Sequence, residues 1–251
     1  MACQPKTRGT VEHPIAGITA LRPRTQSGSG ELWNRRKDGE VYAQMLYISA
    51  VHDQHGQVIQ YVALFSDITD RKAHEKRLDQ LAHFDALTGL PNRALHADRL
   101  QHAMLQATRR KQKLGVAFVD LDGFKAVNDT YGHEAGDYLL ITLARRMRLA
   151  LREVDTLSRL GGDEFAAVIV DLDQESDCDP LLHRLLAAAN QPVMFGSATL
   201  QVSASVGVTF FPQAQELSPD QLLRQADLAM YRAKQAGKNQ FQTSGFLDCL
   251  F

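Results

Sequence analysis

Two adjacent carboxylates, Asp163 and Glu164, directly follow a Gly-Gly pair between two short apolar segments. Residues 154–160 alternate apolar and polar side chains and residues 166–170 are continuously apolar, so the pattern predicts a β-hairpin. Two adjacent carboxylates repel each other and do not stabilise a hairpin. Their presence therefore indicates that a cation or a metal-bound phosphate lies beside them. Gly161-Gly162 would let a bulky ligand approach the backbone closely. The alternative is an ordinary solvated turn with two exposed acids.

Net charge and cysteine content indicate which partners are excluded and which compartment the sequence favours. The chain has 251 residues and a formal net charge of −1, so we expect no bulk attraction to nucleic acid or to an anionic membrane. Three scattered cysteines without metal-binding spacing are typical of a reducing cytoplasm. We see neither a signal peptide nor an apolar run near the roughly 20 residues of a membrane span. These features predict a cytoplasmic location.

Composition changes along the chain and predicts five segments. Residues 1–30 are rich in Pro, Gly, Ser, Thr and Arg, and we expect a flexible N-terminal segment. Residues 31–69 contain three β-rich runs separated by turn signals, which predicts a small antiparallel meander. Residues 70–84 form a charged helix, either a plain connector or a helix that pairs two protomers. Residues 85–243 make up the main domain, and residues 244–251 form a tail.

The main domain mixes helical and strand periodicities around the hairpin. Helices are predicted at about 92–112, 124–130, 134–152, 181–190 and 219–236, and further strands at 114–121, 200–211 and near Gln240. An acidic loop is expected over residues 171–180. The pattern indicates an α+β fold with a mostly antiparallel central sheet flanked by helices.

A second group of acids lies where the strand 114–121 ends. Carboxylates at the rim of a sheet are typical of a Mg²⁺ ion held together with substrate phosphates. Because side chains alternate along a strand, we expect Asp120, rather than both Asp120 and Asp122, to face the hairpin. Asp120, Asp163 and a backbone carbonyl such as that of Leu121 could then hold the ion. The alternative is that the two acids only cap the following helix.

The next residues suit a nucleotide. Gly123-Phe124-Lys125 passes from a strand into a helix, where free N–H groups and the lysine favour phosphate. Asn128 carries a donor and an acceptor, and Asp137 is an acceptor only, a combination that matches the edge of guanine. The alternative is helix capping for both residues and a surface or supporting role for His133.

Together these motifs resemble the GGDEF family of diguanylate cyclases. The resemblance extends over about residues 81–241 and rests on residues 85–93, 120–129, 132–137, 161–165 and 233–239, in order and at the family's spacing. In that family two GTP molecules become cyclic di-GMP with release of two pyrophosphates. The resemblance therefore implies a nucleotidyl-cyclase-like fold, GTP as substrate and Mg²⁺ or Mn²⁺ as cofactor, with two ions per active site.

The resemblance also implies a role for each matching residue. The metal ligands would be Asp120, the carbonyl of Leu121, and Asp163. The catalytic residues would be Asp163 and Glu164, with Glu164 beside the reacting phosphate. The substrate-binding residues would be Phe124, Lys125, Lys234 and Lys238 for the triphosphate, Asn128 and Asp137 for guanine, and His133, Gly161 and Gly162 around the site.

Two regulatory features follow from the same resemblance. One site holds one GTP, so two sites must face each other in a head-to-head homodimer. Arg152 and Asp155 resemble the family's inhibitory Arg-x-x-Asp site for cyclic di-GMP, and Arg184 is a candidate second arginine.

Residues 31–69 resemble the C-terminal half of a PAS sensor domain. The resemblance rests on the turn Lys37-Asp38-Gly39 before a long strand and on the closing Asp67-Ile68-Thr69. It implies a partial sensor that does not bind a PAS ligand.

Two other functions fit the same residues. One is a regulatory module that binds GTP or cyclic di-GMP without turnover, although the chain keeps all five residues of the Gly-Gly-Asp-Glu-Phe motif. The other is a cyclase that makes a different cyclic dinucleotide, against which Asp137 argues because its carboxylate favours guanine.

Overall fold

A computed structural model of the chain describes residues 27–244, with Ser27 described by its backbone alone. The chain divides into two compact units between Asp79 and Gln80, inside a helix. Most of the predicted flexible segment 1–30 and nearly all of the predicted tail lie outside the described residues. Within residues 27–244, no helix combines the length and the apolar character that crossing a membrane requires.

The first unit is a three-stranded antiparallel sheet in the order β1-β2-β3, followed by helix α1. Its elements are β1 (Ser27–Arg35), β2 (Val41–His52), β3 (Val58–Asp67) and α1 (Thr69–His83). Residues 27–30, which we expected within the flexible N-terminal segment, instead belong to β1, and their backbone pairs with residues 46–49 of β2. Helix α1 contains no buried residue, and whether it pairs two protomers stays a prediction.

The second unit contains a five-stranded sheet in the order β10-β9-β4-β6-β5 and a separate two-stranded hairpin, β7-β8. All neighbours in the larger sheet are antiparallel except β9 and β10, which confirms the predicted α+β class. Its strands are β4 (Lys113–Asp122), β5 (Thr156–Gly161), β6 (Glu164–Leu172), β7 (Val193–Phe195), β8 (Ala198–Leu200), β9 (Ser203–Phe211) and β10 (Gln240–Thr243). Its helices are α2 (Arg93–Arg110), α3 (Phe124–Tyr131), α4 (His133–Ala150), α5 (Asp179–Asn190) and α6 (Pro219–Gln235), with a short 3-10 helix at Glu175–Cys178.

Helices cover both faces of the larger sheet, and the alternation along β4 shows which helix lies on which face. Val116 and Phe118 belong to the core cluster that includes residues of α2 and α6. Ala117 and Val119 belong to the cluster that includes residues of α4 and α5. Even-numbered side chains of β4 therefore face α2 and α6, and this parity continues to Asp120 and Asp122 at the end of the strand.

Three predicted elements differ from the structure. The strand predicted at 200–211 is interrupted, because Leu200 closes β8 and β9 begins at Ser203. The predicted acidic loop 171–180 includes the end of β6, the 3-10 helix and the first two residues of α5. Helix α4 ends at Ala150 and Leu151 is extended, so Arg152, predicted at the end of this helix, lies in the loop that follows.

Candidate active site

The central hairpin forms as predicted, but its turn separates the two acids. Gly162 and Asp163 lie between β5 and β6, and Glu164 is the first residue of β6. Gly162 has φ of 50°, a left-handed conformation that favours glycine. Glu164 lies directly opposite Asp120 of β4, and the backbone N–H of Leu121 donates to the carbonyl of Asp163 at 3.3 Å. The hairpin therefore brings both of its acids to the end of β4.

A cleft of about 220 Å³ opens at this end of the sheet. It is lined by residues from the end of β4, the start of α3, the hairpin turn, the C-terminal end of α6 and the loop after α6. These residues are Asp120, Leu121, Asp122, Gly123, Phe124, Lys125, Asp163, Lys234 and Lys238. The three predicted metal ligands and four predicted triphosphate-binding residues thus share one cleft.

Asp120 has a cationic partner from α6. The ammonium of Lys234 lies 2.7 Å from Asp120 Oδ1, and the Asp120 side chain is 13% exposed. Burial raises the pKa of Asp120; Lys234 acts in the opposite direction, and the negative charges of Asp163 and Asp122 add to the rise. The negative charges in this cleft therefore destabilise one another unless a cation is close.

Asp122 also lines the cleft, contrary to the expectation that only Asp120 faces the hairpin. Residues two apart in a strand share a face, so both acids lie on the α6 side of the sheet. The hydroxyls of Ser203 and Ser205 donate to Asp122 Oδ2 and Oδ1, both at 2.8 Å. The backbone N–H of Asn239 reaches Oδ2 at 3.4 Å. These contacts use its lone pairs within the protein and leave Asp120 as the better candidate ligand.

Glu164 has a cationic neighbour from α2. Arg93 Nη2 lies 3.6 Å from Glu164 Oε2. Burial raises the pKa of Glu164, Arg93 opposes that rise, and Asp120 is the next contributor, raising it further. Arg93 ends the matching stretch 85–93, but no role in the site is predicted for it from the sequence.

The predicted guanine-reading residues lie on α3 and α4. Asn128 is partly buried on α3, and Asp137 is exposed in α4. The two helices approach each other at Gly136, where an added Cβ would lie 1.9 Å from Asn128 Oδ1. The backbone of α4 therefore sets the position of the Asn128 amide. His133 is exposed at the first position of α4.

The oxygen ligands that the cleft provides show whether a divalent ion could bind there. Among residues 27–244, no three His, Cys, Asp or Glu side chains are grouped so that they could hold an ion by themselves. Two carboxylates and a carbonyl remain, and Mg²⁺ is usually bound by one or two carboxylates with substrate phosphates and water. The residues present therefore fit Mg²⁺ or Mn²⁺ when a nucleotide supplies further oxygens.

The family profile described as "Diguanylate cyclase, GGDEF domain" matches residues 82–240. The chain belongs to the GGDEF diguanylate cyclase domain family. Over 166 residues it is 43% identical to the bifunctional diguanylate cyclase/cyclic di-GMP phosphodiesterase MucR of Pseudomonas aeruginosa, covering 66% of this chain and 24% of that protein. Over 165 residues it is 38% identical to the cyclic di-GMP phosphodiesterase NbdA of the same species, covering 66% of this chain and 21% of NbdA.

A third relative matches this GGDEF domain both by sequence and through a solved structure. The chain is 39% identical over 158 residues to the diguanylate cyclase TpbB of Pseudomonas aeruginosa, covering 62% of this chain and 36% of TpbB. A solved structure of the TpbB GGDEF domain superposes with a TM-score of 0.63 at 37% identity, covering 66% of this chain and 97% of that structure. The chain thus spans between a fifth and two fifths of the length of these curated relatives.

In the Arg-x-x-Asp motif of this GGDEF domain, the arginine and the aspartate bind each other. Arg152 Nε and Nη2 donate to the two oxygens of Asp155 at 3.1 and 3.0 Å, and Nη2 also donates to the Val170 carbonyl at 2.5 Å. The Asp155 side chain is fully buried and accepts from the Val170 N–H at 3.2 Å. Arg184 Nε donates to the Ala150 carbonyl at 2.9 Å. Asp155 is therefore less accessible than a residue that reads guanine directly.

Proposed function

We propose that the chain is a diguanylate cyclase that condenses two GTP molecules into cyclic di-GMP and two pyrophosphates. The observation that carries the proposal is the single cleft that joins Asp120 and Asp163 to Lys234 and Lys238, in a family whose relatives include named diguanylate cyclases. Carboxylates beside lysines are the groups that a metal–triphosphate requires.

Each residue has a defined task in the proposed reaction. When bound, Mg²⁺ or Mn²⁺, with two ions proposed per site, would lower the pKa of the attacking 3′-hydroxyl and neutralise phosphate charge. Asp120, Asp163 and the Leu121 carbonyl would hold that ion. The residues that hold the nucleotide would be Phe124, Lys125, Lys234 and Lys238 at the triphosphate, Gly161 and Gly162 at the turn, Asn128 and Asp137 at guanine, and His133 and Glu164 nearby. The lysines would also stabilise the leaving pyrophosphate.

The reaction requires two copies of the site. One copy would present the 3′-hydroxyl of its GTP to the α-phosphate of the other, and holding both reactants in place supplies much of the acceleration. We therefore propose a head-to-head homodimer. Product would inhibit through Arg152 and Asp155, with Arg152 leaving its intramolecular pairing to fork onto phosphate or guanine.

We also propose that residues 31–69 are a partial PAS-like sensor. The closing Asp67-Ile68-Thr69 supports this, since the N–H and hydroxyl of Thr69 donate to Asp67 Oδ1 at 3.0 and 2.7 Å. The Ala43 N–H of β2 in turn donates to Thr69 Oγ1 at 3.1 Å. Such contacts join the end of the sheet to the start of α1, where a signal could pass.

The direct test is incubation of the chain with GTP and Mg²⁺ and identification of the products by mass. Cyclic di-GMP from the wild type, and none from Asp163→Ala, supports the proposal. Unchanged product from Asp163→Ala would contradict the metal assignment. The same assay with the chain fused to a dimerising coiled coil tests whether pairing of the sites limits turnover.

A second candidate is a regulatory module that binds GTP or cyclic di-GMP without turnover. The similarity to NbdA, which is named only a phosphodiesterase, favours it. Binding of GTP without product, even in the forced dimer, would select this alternative.

A further inference from the structure

Lys234 and a divalent ion require the same carboxylate. The Lys234 ammonium contacts Asp120 Oδ1 at 2.7 Å and is 31% exposed, so it can also reach a ligand in the cleft. It projects from the last turn of α6 onto the sheet face that carries Asp120. Lys238 lines the same cleft, yet among the described residues it forms no ion pair.

Without nucleotide, the candidate ligands provide little net negative charge for binding a divalent ion. The two candidate ligands, Asp120 and Asp163, carry two negative charges, and Lys234 contacts one of them. Asp122 adds a third charge to the cleft, but it already accepts from Ser203, Ser205 and the Asn239 N–H. No third acidic or imidazole ligand joins them among residues 27–244. Because two carboxylates give Mg²⁺ only part of its octahedral shell, water and the phosphate oxygens of a bound nucleotide would supply the rest. The same phosphates are the natural acceptors for a lysine ammonium.

We propose that Lys234 couples metal binding to nucleotide binding by exchanging Asp120 for the triphosphate. Without nucleotide, Lys234 competes with the ion for Asp120. With nucleotide, the phosphates draw the ammonium away and release the carboxylate to the ion, so each ligand strengthens the binding of the other. The inference rests on the proposed function, because it takes the metal ligands and the triphosphate from it.

The test is Mn²⁺ binding, followed by the electron paramagnetic resonance signal of free Mn²⁺, with and without a GTP analogue that carries a methylene bridge between its α and β phosphorus atoms. Lys234→Gln removes the competing charge, and without nucleotide we expect it to bind Mn²⁺ roughly tenfold more tightly than the wild type. Lys238→Gln is the matched control, since it makes the same change in the same cleft without touching Asp120. We expect a change of less than about twofold to threefold for it.

The coupling itself gives a second readout. The analogue should strengthen Mn²⁺ binding far more in the wild type than in Lys234→Gln, and Lys234→Arg should behave like the wild type. Lys234→Met replaces Lys234→Gln if the latter does not fold. Equal Mn²⁺ affinity of the wild type and the neutral variants without nucleotide overturns the inference. Absence of Mn²⁺ binding in every protein, even with the analogue, would instead show that the metal assignment of the proposed function is wrong.

Discussion

Arg159 joins the hairpin turn to Asp85 in the loop before α2. Its Nη1 lies 2.9 and 3.1 Å from the two carboxylate oxygens of Asp85, while Nε and Nη2 donate to the Gly162 carbonyl at 3.0 and 2.7 Å. The two side chains are 11% and 22% exposed. Thr88 also donates to Asp85 from its N–H and its hydroxyl. One guanidinium thus fixes the turn that carries Asp163.

Asp85→Asn should impair the proposed cyclase although Asp85 does not line the cleft. The substitution removes the charge that holds Arg159, and the turn before Asp163 loses part of its support. We expect kcat to fall by roughly tenfold to a hundredfold, the cost of slightly misplaced reacting groups, with a smaller change in KM. Steady-state kinetics measures both, and Asp98→Asn on the exposed side of α2 is the control. A wild-type kcat would show that this contact does not position the turn.

Gly136→Ala should weaken guanine binding through Asn128. The new Cβ would lie 1.9 Å from Asn128 Oδ1 and 2.9 Å from its Cγ, so the amide must move. We expect roughly tenfold weaker binding of GMP, which contains the base without the triphosphate, by calorimetry. Asn128→Ala is the reference background, because there the clash is absent and Gly136→Ala should add little. Equal additional losses in both backgrounds would contradict a role through Asn128.

Asp122→Asn should loosen the loop that carries Lys238. Asp122 accepts from Ser203, Ser205 and the Asn239 N–H, and an amide cannot accept with both of its ends. Lys238 and Asn239 hold left-handed φ values of 64° and 47°, which non-glycine residues keep only when neighbours stabilise them.

The expected loss is about 1–3 kcal/mol in binding of the GTP analogue, with GMP binding unchanged. Binding constants for the GTP analogue and for GMP distinguish a local effect on the loop of Lys238 from a disturbance of the whole cleft. In a Lys238→Ala background the effect of Asp122→Asn should shrink. An equal loss for GMP and the analogue would mean that the fold of the cleft as a whole is disturbed.

Arg152→Ala should relieve product inhibition while leaving kcat near the wild-type value. Arg152 donates to Asp155 and Val170 outside the cleft, so its loss should act on inhibition and, because buried Asp155 loses its cationic partner, on stability, but not on the chemistry of the cleft. Inhibition curves with added cyclic di-GMP measure the effect. Asp155→Ala is not an equivalent test, because it leaves the Val170 N–H without the acceptor it has now and should lower stability. An unmoved inhibition curve for Arg152→Ala would remove the inhibitory assignment.

Local patterns predicted the elements, while contacts distant in sequence determined the details of the cleft. The hairpin and the acids at the end of β4 could be predicted from the sequence, since strand alternation and turn residues are local signals. The Asp122 contacts with Ser203 and Ser205 were not, because more than 80 residues separate the partners and isolated serines carry no signal. The Arg159–Asp85 pair spans 74 residues. Strands β7 and β8 have three residues each, too few to show a period.

His96 predicts how the stability of the second unit depends on pH. It is buried on α2, its Nδ1 lies 3.0 Å from Ser158 Oγ, and its Nε2 has no partner among the described residues. Burial, with a smaller contribution from the charge of Arg93, lowers the pKa of His96 from 6.5 to about 4. The unfolded chain therefore binds a proton between these two values and the folded chain does not, so the free energy of unfolding falls as the pH drops through this window.

The slope approaches about 1.4 kcal/mol per pH unit well below pH 6.5, and integrating it from pH 7.5 to pH 5 gives a loss of about 2 kcal/mol. Urea unfolding of the wild type at about pH 5 and pH 7.5 should show this loss on top of that from other groups. His96→Gln should reduce the difference by about 2 kcal/mol, since glutamine does not titrate. His102→Gln, an exposed histidine on the same helix, should keep the wild-type dependence. An identical pH dependence for His96→Gln and the wild type would mean that His96 is protonated as readily in the folded chain as in the unfolded one.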